Sequence, residues 1–317
     1  MAEPILDPAQ PVEIKPDPRK VAIVGEIPFA GFEIAKAITA AGMVARVLSP
    51  NSAVEAKLRE LPHQDKLEIV DGDLGSATAV SSALEGVHGV CFVSPIGLGG
   101  RLYRSAEHIK DVTQVVQAAE AHALRKLVYH SALGALVGAQ SRALQDAAAA
   151  EALISNSRCE DFRIRSGPLM GKNDGFMTEI VNSARTSSPV KAIFGYGATL
   201  VQPLAITDFA QCMTNVFVPG NDGLHKGVYS LAGPETYSLL ELTDSALKLL
   251  GRNKVKIHVP LFVLKVLTSI SSSAKFKERF NMLFDAFAVE QNDVAKLLGS
   301  GVKSKTCAEI QRELIAH

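Results

Sequence analysis

The chain has few cysteines, no surplus of either charge and no long apolar run. Its four cysteines, Cys91, Cys159, Cys212 and Cys307, lie far apart in 317 residues. That spacing excludes a disulfide framework and a zinc site, and it predicts buried free thiols. Thirty-three basic residues balance thirty-three acidic ones, which excludes the broad positive surface of a nucleic-acid-binding protein. No apolar stretch approaches the roughly 20 residues of a membrane-spanning helix.

The start of the chain differs from the rest. Residues 1–19 carry five prolines and little hydrophobic periodicity, so we interpret them as an extended tail. The segment is acidic and lacks an apolar core, which is not the pattern of a secretory signal. Ordered structure is expected from Lys20 onward.

From Lys20, short apolar runs alternate with segments of helical periodicity. The predicted strands cover residues 21–24, 44–48, 67–70, 89–93 and 126–130. The predicted helices cover residues 31–41, 52–60, 77–84, 106–122, 237–250 and 261–271. This alternation predicts βαβ units and an α/β fold, a doubly wound parallel-sheet Rossmann domain. We assign the Rossmann-type domain to residues 20–190 and a smaller, partly helical C-terminal lobe to 191–317.

Several landmarks follow the first strand and helix in a fixed order. They read DGDL at 71–74, ALEGV at 83–87, LVYHSALG at 127–134, RIRSGPLMG at 163–171 and QPLAITDFA at 202–210. Together they resemble an atypical short-chain dehydrogenase/reductase, nearest to the NmrA-like group and to the Rossmann accessory subunit of respiratory complex I. The resemblance covers about residues 20–310. It implies a Rossmann core and a smaller substrate-type or partner-binding lobe.

The loop after the first strand departs from the pattern of that family. Members usually carry Gly-x-x-Gly-x-x-Gly, and here Gly25 and Gly31 remain while Pro28 holds the middle position. Proline has no N–H to donate, and its ring crowds the place where a phosphate sits. Glu26 adds a negative charge, and like charges about 4 Å apart repel by roughly 1–4 kcal/mol. The loop thus predicts a preserved turn with NAD(P) binding that is weakened or lost.

The adenine side of the predicted cleft retains more of the family pattern. Asp73 and Leu74 match the family's adenine-side position and indicate a residual nucleotide pocket; for Asp73 the alternative is a helix N-cap or turn residue. NADP-dependent members place an arginine just after the second strand, where this chain has Ser49 or Pro50, and Arg46 lies within the strand. The cofactor is therefore unknown: the fold implies NAD(P), whereas the loop disfavours it.

The catalytic pair of the family is missing. Members use Tyr-x-x-x-Lys on the helix after the fifth strand, and the matching positions here are Ala143 and Ala147. Methyl groups neither donate a proton nor orient a cofactor, so conventional carbonyl reduction lacks its acid. Ser131, Tyr129 and His130, near the end of the fifth strand, are the remaining weak candidates. Their alternative roles are packing or local hydrogen bonding.

The most hydrophobic segment, residues 260–270, precedes several basic residues. The complex I relatives keep a comparable helix there, so the resemblance implies peripheral membrane contact or protein contact through 260–287. The alternative is a helical lid on the C-terminal lobe. We expect a soluble protein on the cytoplasmic or organelle-stromal side.

Three functional hypotheses remain open. The favoured one is a non-catalytic scaffold or accessory subunit of a larger complex, because the loop glycine, tyrosine and lysine are all absent. The second is an NAD(P)H-dependent reductase with a non-standard active site. The third is a redox sensor that binds a dinucleotide without turnover.

Overall fold

A parallel sheet forms the centre of the molecule. The computed structural model describes residues 19–96, 105–172, 174–194, 197–221, 223–260, 262–263, 266, 289, 291–299 and 302–316. Its strands are β1 (Lys20–Gly25), β2 (Val44–Ser49), β3 (Leu67–Asp71), β4 (Gly89–Val93), β5 (Lys126–Ala132), β6 (Glu160–Ser166), β7 (Leu169–Met170), β8 (Val190–Phe194), β9 (Leu200–Val201), β10 (Leu204–Ala205), β11 (Gly227–Leu231), β12 (Tyr237–Ser238) and β13 (Val255–Val259). Seven of them form one sheet in the order β11-β6-β5-β4-β1-β2-β3.

Helices pack on both faces of this sheet. They are α1 (Phe32–Ala40), α2 (Ser52–Leu58), α3 (Ala77–Leu84), α4 (Ser105–Ala121), α5 (Arg142–Ser155), α6 (Met177–Arg185), α7 (Ile206–Asn215), α8 (Leu239–Leu249), α9 (Val294–Leu298) and α10 (Cys307–Ala316). Every residue of β4 and β5 is buried, as expected for parallel strands covered on both sides. All pairs in the sheet are parallel. The predicted doubly wound Rossmann fold is confirmed.

The strand order places a crevice at the centre of the sheet. β1 pairs with β2 on one side and with β4 on the other, so the chain reverses its direction of travel across the sheet at β1 and β4. In open α/β sheets, ligands bind outside the carboxyl ends of the strands at this switch point. The turn after β1 and the segment after β4 therefore border the predicted cleft.

Several predicted boundaries shift. The helix after β1 is preceded by a π-helical turn at Ile27–Gly31, earlier than the predicted start at residue 31. β5 extends to Ala132, two residues beyond the prediction. Tyr237–Ser238, predicted as helix, form β12 and pair antiparallel with β9. α8 begins only at Leu239 because Ser238 and Glu241 form a capping box.

The C-terminal part of the chain contributes strands both to short two-stranded sheets and to the main sheet. The pairs β7–β10, β9–β12 and β8–β13 form two-stranded sheets, while β11 returns to the seven-stranded sheet beside β6. The outer edge of β11 is covered, because the Ser230 N–H donates to Asp293 Oδ2 at 2.9 Å and Asn292 Nδ2 donates to the Ala232 carbonyl at 2.8 Å. The domain division at residue 190 stays a prediction, since the main sheet draws on both sides of it.

Three predictions concern residues that the structure does not describe in full. The tail, apart from its last residue, falls outside the described residues, and so does most of the predicted helix at 261–271 and most of the segment 260–287. Within the described residues, no helix is long and apolar enough to cross a membrane. All four cysteines are buried and free, as predicted.

Candidate cofactor cleft

The turn after β1 requires both of its glycines. Gly25 has φ +104°, and a Cβ there would lie 2.1 Å from the carbonyl oxygen of Val93. The adjoining Glu26 N–H donates to that same oxygen at 2.8 Å. A Cβ on Gly31 would lie 2.8 Å from the carbonyl oxygen of Glu26, which accepts from the Gly31 N–H at 3.0 Å. The backbone thus leaves room only for glycine at both positions, while the role of these glycines in cofactor binding stays a prediction.

The anion position of this turn contains a side chain of the protein itself. Glu26 is the N-cap of the π-helical turn, and its Oε2 accepts from the Ala30 N–H at 3.1 Å. Pro28 lies in the first turn, where its lack of an N–H is tolerated. Ile27 is fully buried and anchors the loop in the core. A carboxylate therefore already satisfies one of the N–H groups that a pyrophosphate would meet.

The adenine side is built from a turn. Asp73 Oδ1 accepts from the Gly75 N–H at 2.8 Å, so the turn alternative for Asp73 is confirmed, and the N-cap of α3 is Ser76. Leu74 is half-buried and packs against the core on this face of the sheet. Both residues follow the carboxyl end of β3, where they border the predicted cleft. Their contact with a nucleotide stays a prediction.

Arg46 is held away from the end of β2. Its Nε lies 2.7 Å from Glu68 Oε2, and its Nη1 donates to the Glu85 carbonyl at 2.5 Å. The end of the strand carries Ser49, which is 1% exposed and donates to the Asn51 carbonyl. No arginine among the described residues at this strand end is placed to meet a 2′-phosphate.

The residues thus fit a dinucleotide in part. Gly25 and Gly31 keep the turn after β1 free of side chains, whereas the Ala30 N–H is available to a pyrophosphate only if the Glu26 side chain leaves it. Among the described residues, no group of three or more His, Cys, Asp or Glu side chains is placed to hold a metal ion.

The positions of the missing catalytic pair are packed. Ala143 and Ala147 on α5 are both 0% exposed. They belong to the apolar core that joins α5 to the small lobe, with Met170, Met177 and Leu242 in the same cluster. Tertiary packing occupies the space that a tyrosine and a lysine would need.

Ser131 lies inside β5, and its hydroxyl is committed to a buried ion pair. Its Oγ donates to Glu151 Oε1 at 2.6 Å. Arg165 Nε donates to Oε1 at 2.8 Å and Nη2 donates to Oε2 at 2.7 Å. This hydrogen-bonded pairing raises the pKa of Arg165. The alternative role of a local hydrogen bond does not hold for Ser131, because β5 continues past residue 130 and the hydroxyl bonds to Glu151 on α5.

Tyr129 and His130 point to opposite faces of the sheet, as the alternation of a strand requires. The Tyr129 hydroxyl lies 2.9 Å from His108 Nε2 on α4. Burial raises the pKa of Tyr129 and lowers the pKa of His108 to about 4, while the charge of Asp146 raises the latter. Tyr129 is 0% exposed, so its hydroxyl is covered by the rest of the protein in this conformation.

His130 is buried on the α7 side. Its Nε2 lies 2.9 Å from Ser166 Oγ, and its ring centroid is 4.6 Å from that of Phe209. Burial lowers its pKa to about 4. The three candidates on β5 adjoin one another in sequence but have different main partners, His108 for Tyr129, Ser166 for His130 and Glu151 for Ser131. Ser94, which follows β4, also interacts with Tyr129 through its side chain and with His130 through its backbone.

The buried polar partners were the part that sequence reasoning missed. Glu151 and Asp146 lie in an alanine-rich helix and are 4% and 2% exposed. Asp146 also pairs with Arg142 at 3.0 Å. One feature of the sequence could have indicated these buried partners: both carboxylates lie in a helix that otherwise has almost no charged residues. A carboxylate among alanines either faces solvent or has a buried partner.

Comparison with known proteins agrees with this architecture. A family model described as NAD(P)H-binding matches residues 30–189, half of the chain. The match begins at Ala30 and so leaves out Glu26 and Pro28. No curated protein matches the sequence closely enough to count as a relative.

Solved structures share the fold across nearly the whole chain. An NADPH-dependent quinone oxidoreductase from Escherichia coli, solved with NADPH, has a TM-score of 0.72 at 18% identity and covers 93% of this chain and 99% of its own. The triphenylmethane reductase of Citrobacter sp., solved with NADP(H), gives the same values. A nucleoside-diphosphate-sugar epimerase from Staphylococcus aureus has a TM-score of 0.72 at 16% identity and covers 92% and 99%. The chain therefore belongs to the NAD(P)H-binding family, which agrees with its resemblance to atypical short-chain dehydrogenases/reductases of the NmrA-like group.

Proposed function

We propose that the protein is an NAD(P)H-dependent reductase with a non-standard active site, acting on conjugated acceptors that need no positioned acid. The observation that carries the proposal is the pair of buried methyl groups, Ala143 and Ala147, in a chain that belongs to an NAD(P)H-binding family. The fold supplies the crevice between β1 and β4, and the turn that begins at Gly25 borders it.

The missing acid restricts the substrate class. When bound, a nicotinamide cofactor supplies a hydride. An unconjugated ketone or aldehyde then becomes an alkoxide, which needs a proton from a positioned group. A quinone instead becomes a delocalised phenolate, which takes its proton from water without such a group. A conjugated electrophile of the quinone type therefore suits a cleft without the tyrosine.

The similar solved structures support the same class. Two of them are named as a quinone oxidoreductase and a triphenylmethane dye reductase, and both names describe conjugated acceptors. In this chain, the turn at Gly25 and the adenine side at Asp73 and Leu74 would hold the dinucleotide. The hydrogen bonds of Glu151 with Ser131 and Arg165 join α5 to β5 and β6.

A second candidate function has one observation in its favour. The Glu26 carboxylate at the Ala30 N–H, together with Pro28, weakens pyrophosphate binding. A chain that binds no dinucleotide would act as a scaffold or accessory subunit. A chain that binds one without turnover would act as a sensor.

Turnover and binding measured separately distinguish these functions. Consumption of NADPH and of NADH is followed with a benzoquinone, a triphenylmethane dye and an unconjugated ketone, and calorimetry measures the binding of each dinucleotide. We expect reduction of the conjugated acceptors but not of the ketone. Binding without reduction of any acceptor would overturn the reductase in favour of the sensor. Absence of binding at millimolar dinucleotide would favour the scaffold.

A further inference from the structure

We propose that the Glu26 side chain is a built-in competitor for the pyrophosphate of the cofactor and thereby sets the affinity of the cleft for dinucleotides. The inference rests on the proposed function in one respect, that the ligand of this turn is a dinucleotide. It goes further in assigning the control of affinity to a single side chain. The mechanism is occupation of a donor, which differs from charge repulsion at a distance.

The occupied group is the one that an anionic ligand needs. In Rossmann folds, the pyrophosphate lies at the start of the helix after the first strand, where backbone N–H groups point toward it. Glu26 Oε2 is 3.1 Å from the Ala30 N–H at that place. A carboxylate oxygen has the charge and the acceptor character of a phosphate oxygen, so it satisfies the same donor.

The competitor is tethered. The Glu26 backbone is fixed on both sides, because its N–H donates to the Val93 carbonyl at 2.8 Å and its carbonyl accepts from the Gly31 N–H at 3.0 Å. A group held this close acts at an effective concentration of the order of millimolar or more. A dinucleotide in solution must therefore compete with the high effective concentration of the Glu26 carboxylate at the Ala30 N–H. The Glu26 side chain must also rotate away before a phosphate can reach this N–H.

Two substitutions separate occupation from repulsion. Glu26→Gln removes the charge and keeps an oxygen acceptor of the same reach, whereas Glu26→Ala removes both. If occupation controls affinity, the alanine variant gains far more than the glutamine variant. If repulsion controls it, the two variants gain equally.

A nearby glutamate provides the matched control. Glu33 lies in the first turn of α1 and pairs with Lys36 at 3.8 Å. Glu33→Gln and Glu33→Ala make the same changes in charge close to the loop without altering the acceptor at Ala30. They correct for the general effect of net charge on the binding of an anion.

Calorimetric dissociation constants for NADPH and for inorganic pyrophosphate test the proposal, with ligand-induced thermal stabilisation as a second readout. We expect Glu26→Ala to bind both ligands at least about tenfold more tightly than the wild type, Glu26→Gln about threefold at most, and the Glu33 variants within about twofold. Equal gains for the two Glu26 variants, or no gain for Glu26→Ala, would overturn it.

Glu26→Gly is a control for the loss of the N-cap, because glycine at an N-cap costs little helix stability. If both Glu26→Ala and Glu26→Gly fail to fold, the carboxylate is a structural cap and the proposal is wrong. The two proposals fail in different ways. If Glu26→Ala binds a dinucleotide more tightly but reduces no acceptor, only the proposal that the protein is a reductase is wrong. If acceptors are reduced but Glu26→Ala leaves the dissociation constants unchanged, only the proposal that Glu26 competes with the pyrophosphate is wrong.

Discussion

The Ser131 hydroxyl donates a 2.6 Å hydrogen bond to Glu151 Oε1, and the same carboxylate accepts two hydrogen bonds from Arg165. One helix residue thus joins α5 to two neighbouring strands. The Glu151 side chain is 5% exposed, whereas that of Arg165 is 27% exposed. Glu151 therefore depends on its partners for the compensation of its charge.

Glu151→Ala is expected to lower the free energy of unfolding by about 2–4 kcal/mol, because it leaves a largely buried guanidinium without its carboxylate. Urea denaturation followed by circular dichroism measures the loss. Glu55→Ala is the control, since Glu55 forms an i,i+4 pair with Arg59 on the surface of α2. That change should cost less than about 0.5 kcal/mol. Equal losses for the two variants would contradict a structural role for the buried set of Ser131, Glu151 and Arg165.

Tyr129→Phe tests whether the Tyr129 hydroxyl has a structural role in the core or a catalytic role. The variant loses the hydrogen bond to His108 and should be destabilised by about 1–2 kcal/mol. Because Tyr129 is fully buried, kcat with the quinone acceptor should stay within about twofold of the wild type. A tenfold or larger fall in kcat for a folded variant, on the order of 1.4 kcal/mol, would return Tyr129 to the active site.

Gly25→Ala should disrupt the turn after β1. The new Cβ would approach the Val93 carbonyl oxygen at 2.1 Å in a backbone conformation with φ +104°. We expect a loss of about 2–5 kcal/mol in the free energy of unfolding, from the clash and the strained φ together. Gly86→Ala isolates the strain, because Gly86 has φ +65° and nothing within 4 Å, and it should cost only about 1 kcal/mol. Similar losses for the two variants would show that the contact with Val93 relaxes.

The fold was predictable because its signals are local. Apolar runs such as β4, bounded by glycine and alternating with helical periodicity, indicate parallel strands wherever they occur. The alanines at 143 and 147 were identified as the positions of the missing catalytic pair only through the resemblance to the family that carries Tyr-x-x-x-Lys there. The residues at which helices start were harder to predict. The segment with Glu26 and Pro28 begins a π-helical turn, and hydrophobic periodicity does not reveal such a turn.

The partners of the candidate residues could not be predicted. Alternation along β5 shows that Tyr129 and His130 face opposite sides, but it does not show which helix residue lies opposite each. Ser131 meets Glu151, which is 20 residues away in sequence. Such contacts depend on how helices pack on the sheet, and a single sequence carries no direct record of that packing.

The two buried histidines predict a loss of stability in acid. In the folded state, the pKa of His108 and that of His130 are each about 4, below the ordinary 6.5. Between these values the unfolded chain binds protons that the folded chain does not. The free energy of unfolding should therefore fall as the pH drops from about 7 to 4, by on the order of 3 kcal/mol for each ring.

Substitutions of single titrating residues show how much each one contributes to the pH dependence of stability. His130→Gln removes one titrating ring and should flatten the decline in urea midpoint between pH 7 and pH 4. Asp111 acts in the opposite direction, because burial and the charge of Glu107 raise its pKa to about 6 from 3.8. Asp111→Asn should therefore steepen the decline. An unchanged slope in His130→Gln would show that this ring becomes protonated in the folded state as readily as in the unfolded state.

The position of β11 has a consequence for the synthesis of the protein. β11 pairs with β6, although residues 167–226 separate the two strands in the chain. At roughly 5–20 residues per second, a ribosome needs about 3–12 seconds to make that interval. During this time the edge of β6 stays open, and open strand edges readily pair with other chains. The nascent protein is thus most exposed to aggregation after the six other strands of its main sheet have been made, and translation of β11 ends that interval.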